Sequence, residues 1–524
     1  MATGRIPGRP PTIAETGKAA GRFGWICRML REYSGEPDIQ HTPSFARRLA
    51  AHLPKELTPA TVNRMETGAA KFDIGRVMAY EQALGCVPGE LLDVFVYLFR
   101  LEAAPGAQIS WVDHGDGWFY DLLYRICHDE PVSSLDWLQF SMAARLPARG
   151  KIFDSARFAE GVFGRLIEDF RSSFERDERL LREALINLSP HSIPYIAERV
   201  DEDPLALFNV VESLGFVQDR QAWAPLLRLC AKLDDGVQGQ TLLETVRRWI
   251  PRDPGSFDDI RQTAPSLIPY CEHIIEDPTE AYTAREEAIA FLSAGRVAIS
   301  PRLRKYMQDN RSEIRQLLVE PAAATKTEII RAVHSYVGKH LASHGPHGRH
   351  GATGVPAGLG GMLTDAVFSK YRVQRLGFAL ALGPLQIASG LAHGAGLALL
   401  QDISNEDYGT QRAVLRLMTK IDHPATHPYF SRFAHTKILD EGVRLTAAWA
   451  LGTGSGLHDE MCLRALLPGA AVTTRRVIVL AAERRNFPQL LTELATDRNS
   501  VVSVEAARGL RRLPKPATPR RHAT

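Results

Sequence analysis

Apolar residues recur at helical spacing along nearly the whole chain from about Trp25 onward, in segments separated by short breaks. No segment shows the sustained alternation of apolar and polar residues that a half-buried strand requires. The breaks contain proline after a helix or glycine at its end, as at Ser189-Pro190, Gly215 and Gly452. With 45% apolar and 23% charged residues in a length of 524, the composition is that of a globular protein. The sequence therefore predicts an all-α fold with several helical domains.

Helical segments in the last third of the chain share a pattern. They begin near Arg412, Arg444, Arg475 and Ser503, at steps of 32, 31 and 28 residues, and are rich in small residues. This pattern resembles HEAT or Armadillo-like helical repeats over residues 362–511 and, more weakly, over residues 101–339. The resemblance implies an α-solenoid, in which stacked helix pairs share one continuous core. An irregular helical domain is the alternative.

Charge is unevenly distributed along the chain. The net charge is +3, but residues 1–76 carry 12 Lys and Arg against 7 Asp and Glu, and residues 508–521 add six basic residues without an acidic one. The 431 residues between these two segments sum to −8. Basic ends on an acidic body indicate an anionic partner, and charge alone does not distinguish nucleic acid from a membrane surface.

The cysteine pattern and the apolar runs favour a cytoplasmic protein without a membrane segment. The six cysteines lack the CxxC spacing of a zinc or redox site, which favours free thiols in a reducing compartment. The first residues lack the apolar core of a signal peptide. The uncharged run 376–400 contains Pro384 and five glycines, so it predicts two short helices with a turn near Gly383 rather than a membrane span.

Residues 340–361 are rich in glycine and histidine, and such a density of glycine opposes a helix. We expect a loop here that divides the helical body in two. Four histidines in the segment, His340, His344, His347 and His350, have a spacing compatible with a metal. A glycine-rich loop without Cys or carboxylate does not preorganise them as ligands, however.

The sequence neighbours Cys127 and His128 favour a solvated helix end over a catalytic pair. No phosphate-binding loop or metalloprotease motif is present, so we expect no metal, no cofactor and no enzymatic activity.

Residues 23–100 form a compact set of short helical segments. The apolar spacing predicts helices over Gly24–Tyr33, Pro43–Leu53, Pro59–Glu66 and Ile74–Leu84. The second and third segments both begin with Thr-Pro, at Thr42 and at Thr58, where threonine is a good N-cap and proline suits the first helical position. Two short capped helices a few residues apart are a candidate helix-turn-helix.

The segment from Thr58 to Gly68, Thr-Pro-Ala-Thr-Val-Asn-Arg-Met-Glu-Thr-Gly, resembles the third helix of the Xre/phage-repressor helix-turn-helix family. Downstream, Leu84-Gly85 and Leu91-Leu92 resemble its fourth and fifth helices. The resemblance covers residues 24–95. The chain departs from the family in a longer turn over residues 51–57 and in a second helix without the usual Gln start. The resemblance implies a DNA-binding domain and a structural ion pair between Glu66 and Arg31.

In this family the third helix enters the major groove of DNA, and its N-terminal side chains contact base edges. Val62 and Met65 should face the core, so the candidates for base contacts are Ala60, Thr61, Asn63 and Arg64. Asn pairs with adenine, Arg with guanine, and a methyl group contacts thymine. Thr58 would cap the helix, with nearby amides facing a phosphate. The candidates for phosphate contacts are Arg47, Arg48 and Lys71.

The N-terminal arm, residues 1–22, contains the sequence Gly8-Arg9-Pro10, which resembles the core of an AT-hook for the A·T minor groove. Pro7 replaces the flanking arginine of a full hook, which favours a solvated arm. The basic tail, residues 512–524, has the same interpretation.

Together these features predict a sequence-specific transcriptional regulator that binds double-stranded DNA and is associated with the nucleoid. The helical body would bind a protein or small-molecule effector. We expect a homodimer, which suits a palindromic site, with its interface among residues 86–135. The alternative is that the apolar residues of this segment pack on the following helices. These apolar residues are Leu91, Leu92, Val94, Phe95, Tyr97, Leu98 and Phe99. A HEAT-like protein-interaction scaffold without sequence-specific DNA binding, and a small-molecule sensor, are the alternatives.

Overall fold

The structure is a computed structural model. It describes residues 19–53, 57–102, 114–173, 175–189, 256–277, 282–311, 323–344, 359–368, 388–402, 408–421, 423–436, 441–453, 460–470 and 472–513. It also describes a few short runs and single positions between these ranges. Within these ranges the chain forms helices joined by turns and contains no strand. The prediction of an all-α fold is confirmed.

The chain forms two compact units, Met1–Thr426 and His427–Thr524. The sequence predicted a loop over residues 340–361 that divides the helical body. In the structure one helix continues to His344, and it packs against the helices Leu359–Phe368 and Ala388–Asp402, which are described after this segment. The helical body is therefore joined across the Gly/His segment, of which residues 345–358, with His347 and His350, lie outside the described ranges.

In its described residues the first unit begins with six helices, here called the N-terminal module: α1 (Ala19–Glu32), α2 (Pro37–Gln40), α3 (Thr42–Ala50), α4 (Pro59–Glu66), α5 (Ile74–Leu84) and α6 (Glu90–Glu102). Helices α4 and α5 have the predicted bounds, and α5 ends at Gly85, whose φ of 70° is left-handed. The aromatic core joins Phe45 to Tyr80, with ring centroids 5.3 Å apart. Glu81 accepts hydrogen bonds from the N–H groups of Leu91 and Leu92, at 2.7 and 2.8 Å, and so caps α6.

Three local predictions in the N-terminal module need correction. Helix α1 starts at Ala19, inside the predicted arm 1–22, and ends one residue before Tyr33. Thr42 does not cap α3: it is a buried residue of the helix, and His41 occupies the cap position without a side-chain hydrogen bond. The extended residue is His41, between α2 and α3, so the helix begins one residue earlier than predicted, and it ends at Ala50 rather than Leu53.

Next come α7 (Gly115–Cys127), α8 (Ser134–Ala144), α9 (Pro147–Gly150), α10 (Ala156–Ser172) and α11 (Glu175–Asn187). Helix α11 packs against both α6 and α8. Buried ion pairs hold α6 to α11: Arg100 pairs with Glu183, and Arg179 pairs with Asp93. The apolar residues of α6 that were considered for a dimer interface are almost all buried within this chain, because α6 packs against α1, α5 and α11.

The remainder of the first unit contains α12 (Ser256–Thr263), α13 (Leu267–Glu276), α14 (Tyr282–Ala294), α15 (Pro301–Asp309), α16 (Ala323–His344), α17 (Leu359–Phe368), α18 (Ala388–Asp402) and α19 (Tyr408–Ile421). Helix α18 packs closely on α16, since a Cβ on Gly394 would lie 3.0 Å from the Val333 carbonyl oxygen. Helix α18 includes the last part of the uncharged run 376–400, and Gly383 lies in a turn as predicted. Among the described helices, none is both long and apolar enough to span a bilayer.

The second unit contains α20 (His427–His435), α21 (Glu441–Thr453), α22 (Glu460–Arg464), α23 (Val472–Arg484), α24 (Pro488–Leu494) and α25 (Ser500–Arg512). Helix α23 packs against both α21 and α25, while α20 packs on α21 and α24 packs on α23 and α25. A Cβ built on Gly452 of α21 would lie 2.1 Å from the Cβ of Ala481 in α23. Small residues therefore let the long helices of this unit approach closely.

Candidate nucleic-acid interface

The start of α4 is fixed by its own sequence. Thr58 is extended, with φ −81° and ψ 154°, and its Oγ1 accepts a hydrogen bond from the Thr61 N–H at 3.2 Å. The two hydroxyl oxygens of Thr58 and Thr61 lie 3.0 Å apart. Pro59 follows in the first turn, where its missing N–H costs no hydrogen bond. Thr58 therefore caps the helix, and the Thr61 hydroxyl is held against the cap.

Helix α4 has one buried and one exposed face. Val62 and Met65 are completely buried and Glu66 is nearly so. At 100° per residue, Ala60 and Arg64 lie opposite this buried face, one turn apart. The structure shows Ala60, Asn63 and Arg64 exposed and Thr61 half-buried. Three of the four side chains predicted to contact bases are thus freely accessible to a ligand.

A buried ion pair attaches the end of α4 to α1. The Arg31 guanidinium donates from Nε to Oε1 of Glu66 at 2.7 Å and from Nη2 to Oε2 at 2.9 Å. Its Nη1 donates to the Gln40 carbonyl oxygen at 2.7 Å, so the same side chain also holds the end of α2. Burial raises the pKa of Glu66, and the hydrogen bonds from Arg31 oppose that effect. The pair expected from the family resemblance is present.

Glycines bring the backbones of α1 and α4 into direct contact. A Cβ on Gly24 would lie 2.4 Å from the Met65 carbonyl oxygen, and one on Gly68 would lie 2.5 Å from the Gly21 Cα. Gly68 also has a φ of +73°, which an L side chain rarely adopts. Sequence reasoning did not single out Gly21 and Gly24. Their spacing of three inside a helix, where glycine is unfavourable, was the available signal.

The cations predicted to contact phosphate are exposed around α4. Arg47 and Arg48 lie in the last turn of α3, which packs against α4, and Lys71 lies in the loop after α4. Arg48 forms an exposed ion pair with Glu36 at 3.2 Å, which salt and competing anions readily weaken. Sequence reasoning missed Arg76, whose Nη1 donates to the Lys71 carbonyl oxygen at 2.8 Å and fixes that loop.

A metal centre and a Cys–His pair are the other kinds of site that the sequence raised. These residues contain no group of three or more His, Cys, Asp or Glu side chains that could hold a metal ion. Cys127 and His128 are exposed at the end of α7, where the His128 ring stacks on Tyr124 with centroids 3.9 Å apart. No known protein family, curated protein or solved structure matches this chain.

Proposed function

We propose that the N-terminal module is the DNA-reading domain of a sequence-specific transcriptional regulator and that α4 is its recognition helix. The observation that carries the proposal is the division of α4 into two faces. One face is buried and ion-paired to α1, while the other presents Ala60, Asn63 and Arg64 to solvent. Recognition helices read base edges in the major groove with exposed side chains such as Asn and Arg near an accessible N-terminus. Helix α4 presents both.

The positions on α4 suggest a role for each side chain. Arg64 lies on the most outward line of the helix and would donate two hydrogen bonds to a guanine. Ala60, one turn earlier, is small enough for close approach and offers a methyl group to thymine. Asn63 lies beside this line and would pair with adenine. The Thr61 hydroxyl is hydrogen-bonded to the hydroxyl of the cap residue Thr58, so the methyl group of Thr61 would be the part available to a base.

Positioning of the duplex would depend on the surrounding cations. Arg47, Arg48 and Lys71 would contact phosphates without reading sequence, and the amides after Thr58 would face a phosphate at the start of α4. The Arg31–Glu66 ion pair and the glycine contacts would hold the helix in one orientation toward the groove. A rigid reading helix loses little conformational freedom when it binds.

The helical body is proposed to be a HEAT-like stack that docks a protein or small-molecule effector. Two helix pairs support a repeating unit. Arg285 of α14 donates to the Ile275 carbonyl oxygen at the end of α13, and Arg444 of α21 donates to the Ala434 carbonyl oxygen at the end of α20. Both bonds span ten residues and satisfy a helix C-terminus with the following helix. A homodimer remains part of the proposal because a two-fold protein suits a palindromic site.

The proposal is tested by selecting bound duplexes from a random library with the full chain and with the Asn63→Ala/Arg64→Ala variant. Both residues are exposed, so the variant should fold normally, as circular dichroism would check. Enrichment of a defined sequence by the wild type alone supports the proposal. If the wild type enriches nothing, or if the variant enriches the same sequence, α4 is not the reader. The protein-interaction scaffold then becomes the better account.

A further inference from the structure

The two compact units carry opposite net charges. Residues 427–524 contain 15 Lys and Arg against 8 Asp and Glu, a net charge of +7. Residues 1–426 contain 48 against 52, a net charge of −4. The small second unit thus concentrates positive charge in a way that the whole-chain value of +3 conceals. Such a concentration indicates an anionic partner for this unit itself.

Several acidic residues of the second unit are already neutralised by arginines away from the end of α25. Arg464 pairs with both Glu460 and Glu493. At the start of α23, Arg475 pairs with Asp497 at 3.2 Å, and Arg476 pairs with Glu505 at 2.9 Å. These pairs involve α22, α24, the start of α23 and the first half of α25. None of them involves Arg508 or Arg511 near the end of α25.

The C-terminal ends of the three long helices meet at one edge of the unit. Gly452 at the end of α21 adjoins Ala481 of α23, and Arg485 donates to the Gly452 carbonyl oxygen at 3.1 Å. Gly509 near the end of α25 adjoins Glu483 of α23, since a Cβ there would lie 3.4 Å from its Oε2. The helices α21, α23 and α25 therefore run in the same direction and end together.

Arginines concentrate along this edge. Arg484 lies over the Trp449 ring, 5.7 Å from its centroid, and Arg511 is exposed, with Nε donating to the Ala507 carbonyl oxygen. Arg508 is half-exposed and forms no ion pair within the described part of the chain. We call Arg484, Arg508 and Arg511 the basic edge. Glu483 is the acidic residue beside it, and the sequence continues into the tail with Lys515, Arg520 and Arg521, outside the described ranges.

We propose that the basic edge binds the phosphate backbone of duplex DNA without reading its sequence. Arginine is suited to this role because its planar guanidinium donates two parallel hydrogen bonds to a phosphate. Binding to a membrane surface is strengthened by apolar side chains beside the cations. The exposed valines of α25, Val501 and Val504, lie instead in its first half. This contact requires no operator and does not depend on reading by α4.

The test compares two full-length variants that each lose two arginines. Arg508→Gln/Arg511→Gln alters the basic edge, while the control Arg432→Gln/Arg498→Gln removes two exposed arginines, one on α20 and one just before α25. Affinity is measured against salt concentration with a duplex of about 30 base pairs that lacks any sequence enriched by the wild type. Each lost phosphate contact should reduce the slope of log affinity against log salt by about 0.9.

We expect the edge variant to lose one to two phosphate contacts, with a slope reduced by about 1–2, and the control to keep most of the wild-type slope. Equal reductions in both variants would overturn the proposal, because net charge would then explain the binding. An unchanged edge variant would also overturn it. Vesicles of phosphatidylcholine and phosphatidylserine provide the last comparison: if the edge variant loses vesicle binding but keeps duplex binding, the partner is a membrane surface. Failure of sequence selection by α4 would leave this outcome unaffected.

Discussion

Arg31 in α1 and Glu66 at the end of α4 form a doubly hydrogen-bonded ion pair in which both side chains are only 2% exposed. It joins residues 35 positions apart and fixes the proposed recognition helix to the first helix of the module. Because the pair is buried, neither charge can be solvated if its partner is removed. The pair is therefore a sensitive point for the stability of the domain.

Removal of the Glu66 carboxylate should destabilise the N-terminal module strongly. Glu66→Ala leaves the buried Arg31 charge unpaired, and we expect a loss of about 3–5 kcal/mol in the free energy of unfolding, measured by chemical denaturation. Glu36→Ala, which removes the exposed partner of Arg48, should cost less than about 1 kcal/mol. The double variant Arg31→Met/Glu66→Met should recover much of the loss. Equal effects of Glu66→Ala and Glu36→Ala would show that the pair contributes little.

Tyr80→Phe should leave the module as stable as the wild type or more so. The Tyr80 hydroxyl is completely buried and has no hydrogen-bond partner in the described part of the chain. Removing an unpaired buried hydroxyl recovers its desolvation penalty, so we expect a change between zero and a gain of about 1 kcal/mol. Thermal melts of the variant and of the exposed-site control Tyr120→Phe provide the comparison. A loss of more than about 1 kcal/mol would reveal a partner for this hydroxyl.

Alkaline pH should destabilise the module through Cys27. Burial raises the pKa of this thiol in the folded state well above its usual range, whereas the thiol of the unfolded chain has a pKa of about 8.5. Below that pH the thiol is protonated in both states and the folded state keeps its full stability. Above it the unfolded chain loses its proton, which favours unfolding. Between about pH 8.5 and 9.5 the wild type should lose about 1 kcal/mol more than Cys27→Ala, as chemical denaturation at both values would show. Parallel losses in the two proteins would contradict the assignment.

Bulk at Gly452 should disrupt the second unit. Its backbone is so close to Ala481 that even a Cβ would overlap, so Gly452→Leu must separate α21 from α23. We expect a loss of about 3 kcal/mol or more, because overpacking against backbone cannot be relieved by rotamer changes. Val504→Leu adds a methylene at an exposed position of α25 and should be neutral. Hydrogen exchange of the α21 and α23 amides would measure both, and unchanged protection in Gly452→Leu would refute the packing.

Local signals made α4 and α5 predictable. Thr58-Pro59 defines the start of α4, and Gly85 ends α5 in the left-handed conformation. The same Thr-Pro signal failed at Thr42 because the helix begins one residue earlier than predicted, so that the extended residue His41 takes the cap position and Thr42 lies inside the helix.

Contacts between distant segments were not predictable from the sequence. Glu81 caps α6 with its carboxylate, and Gly24 meets the Met65 carbonyl oxygen, because tertiary packing brings these groups together. The packing of helices on both sides of the Gly/His segment is another such contact, since the glycine content of the segment gives no sign of it. The Arg31–Glu66 pair was anticipated only through the resemblance to a known helix-turn-helix family.

The most direct test of the central claim is the specificity ratio, the affinity for the enriched duplex divided by that for a scrambled duplex of the same composition at one salt concentration. Arg64→Ala should reduce this ratio about fivefold or more, since a bidentate base contact contributes about 1–3 kcal/mol of discrimination. Arg48→Ala should weaken binding to both duplexes and leave the ratio unchanged. An unchanged ratio in Arg64→Ala would contradict the claim that α4 reads DNA.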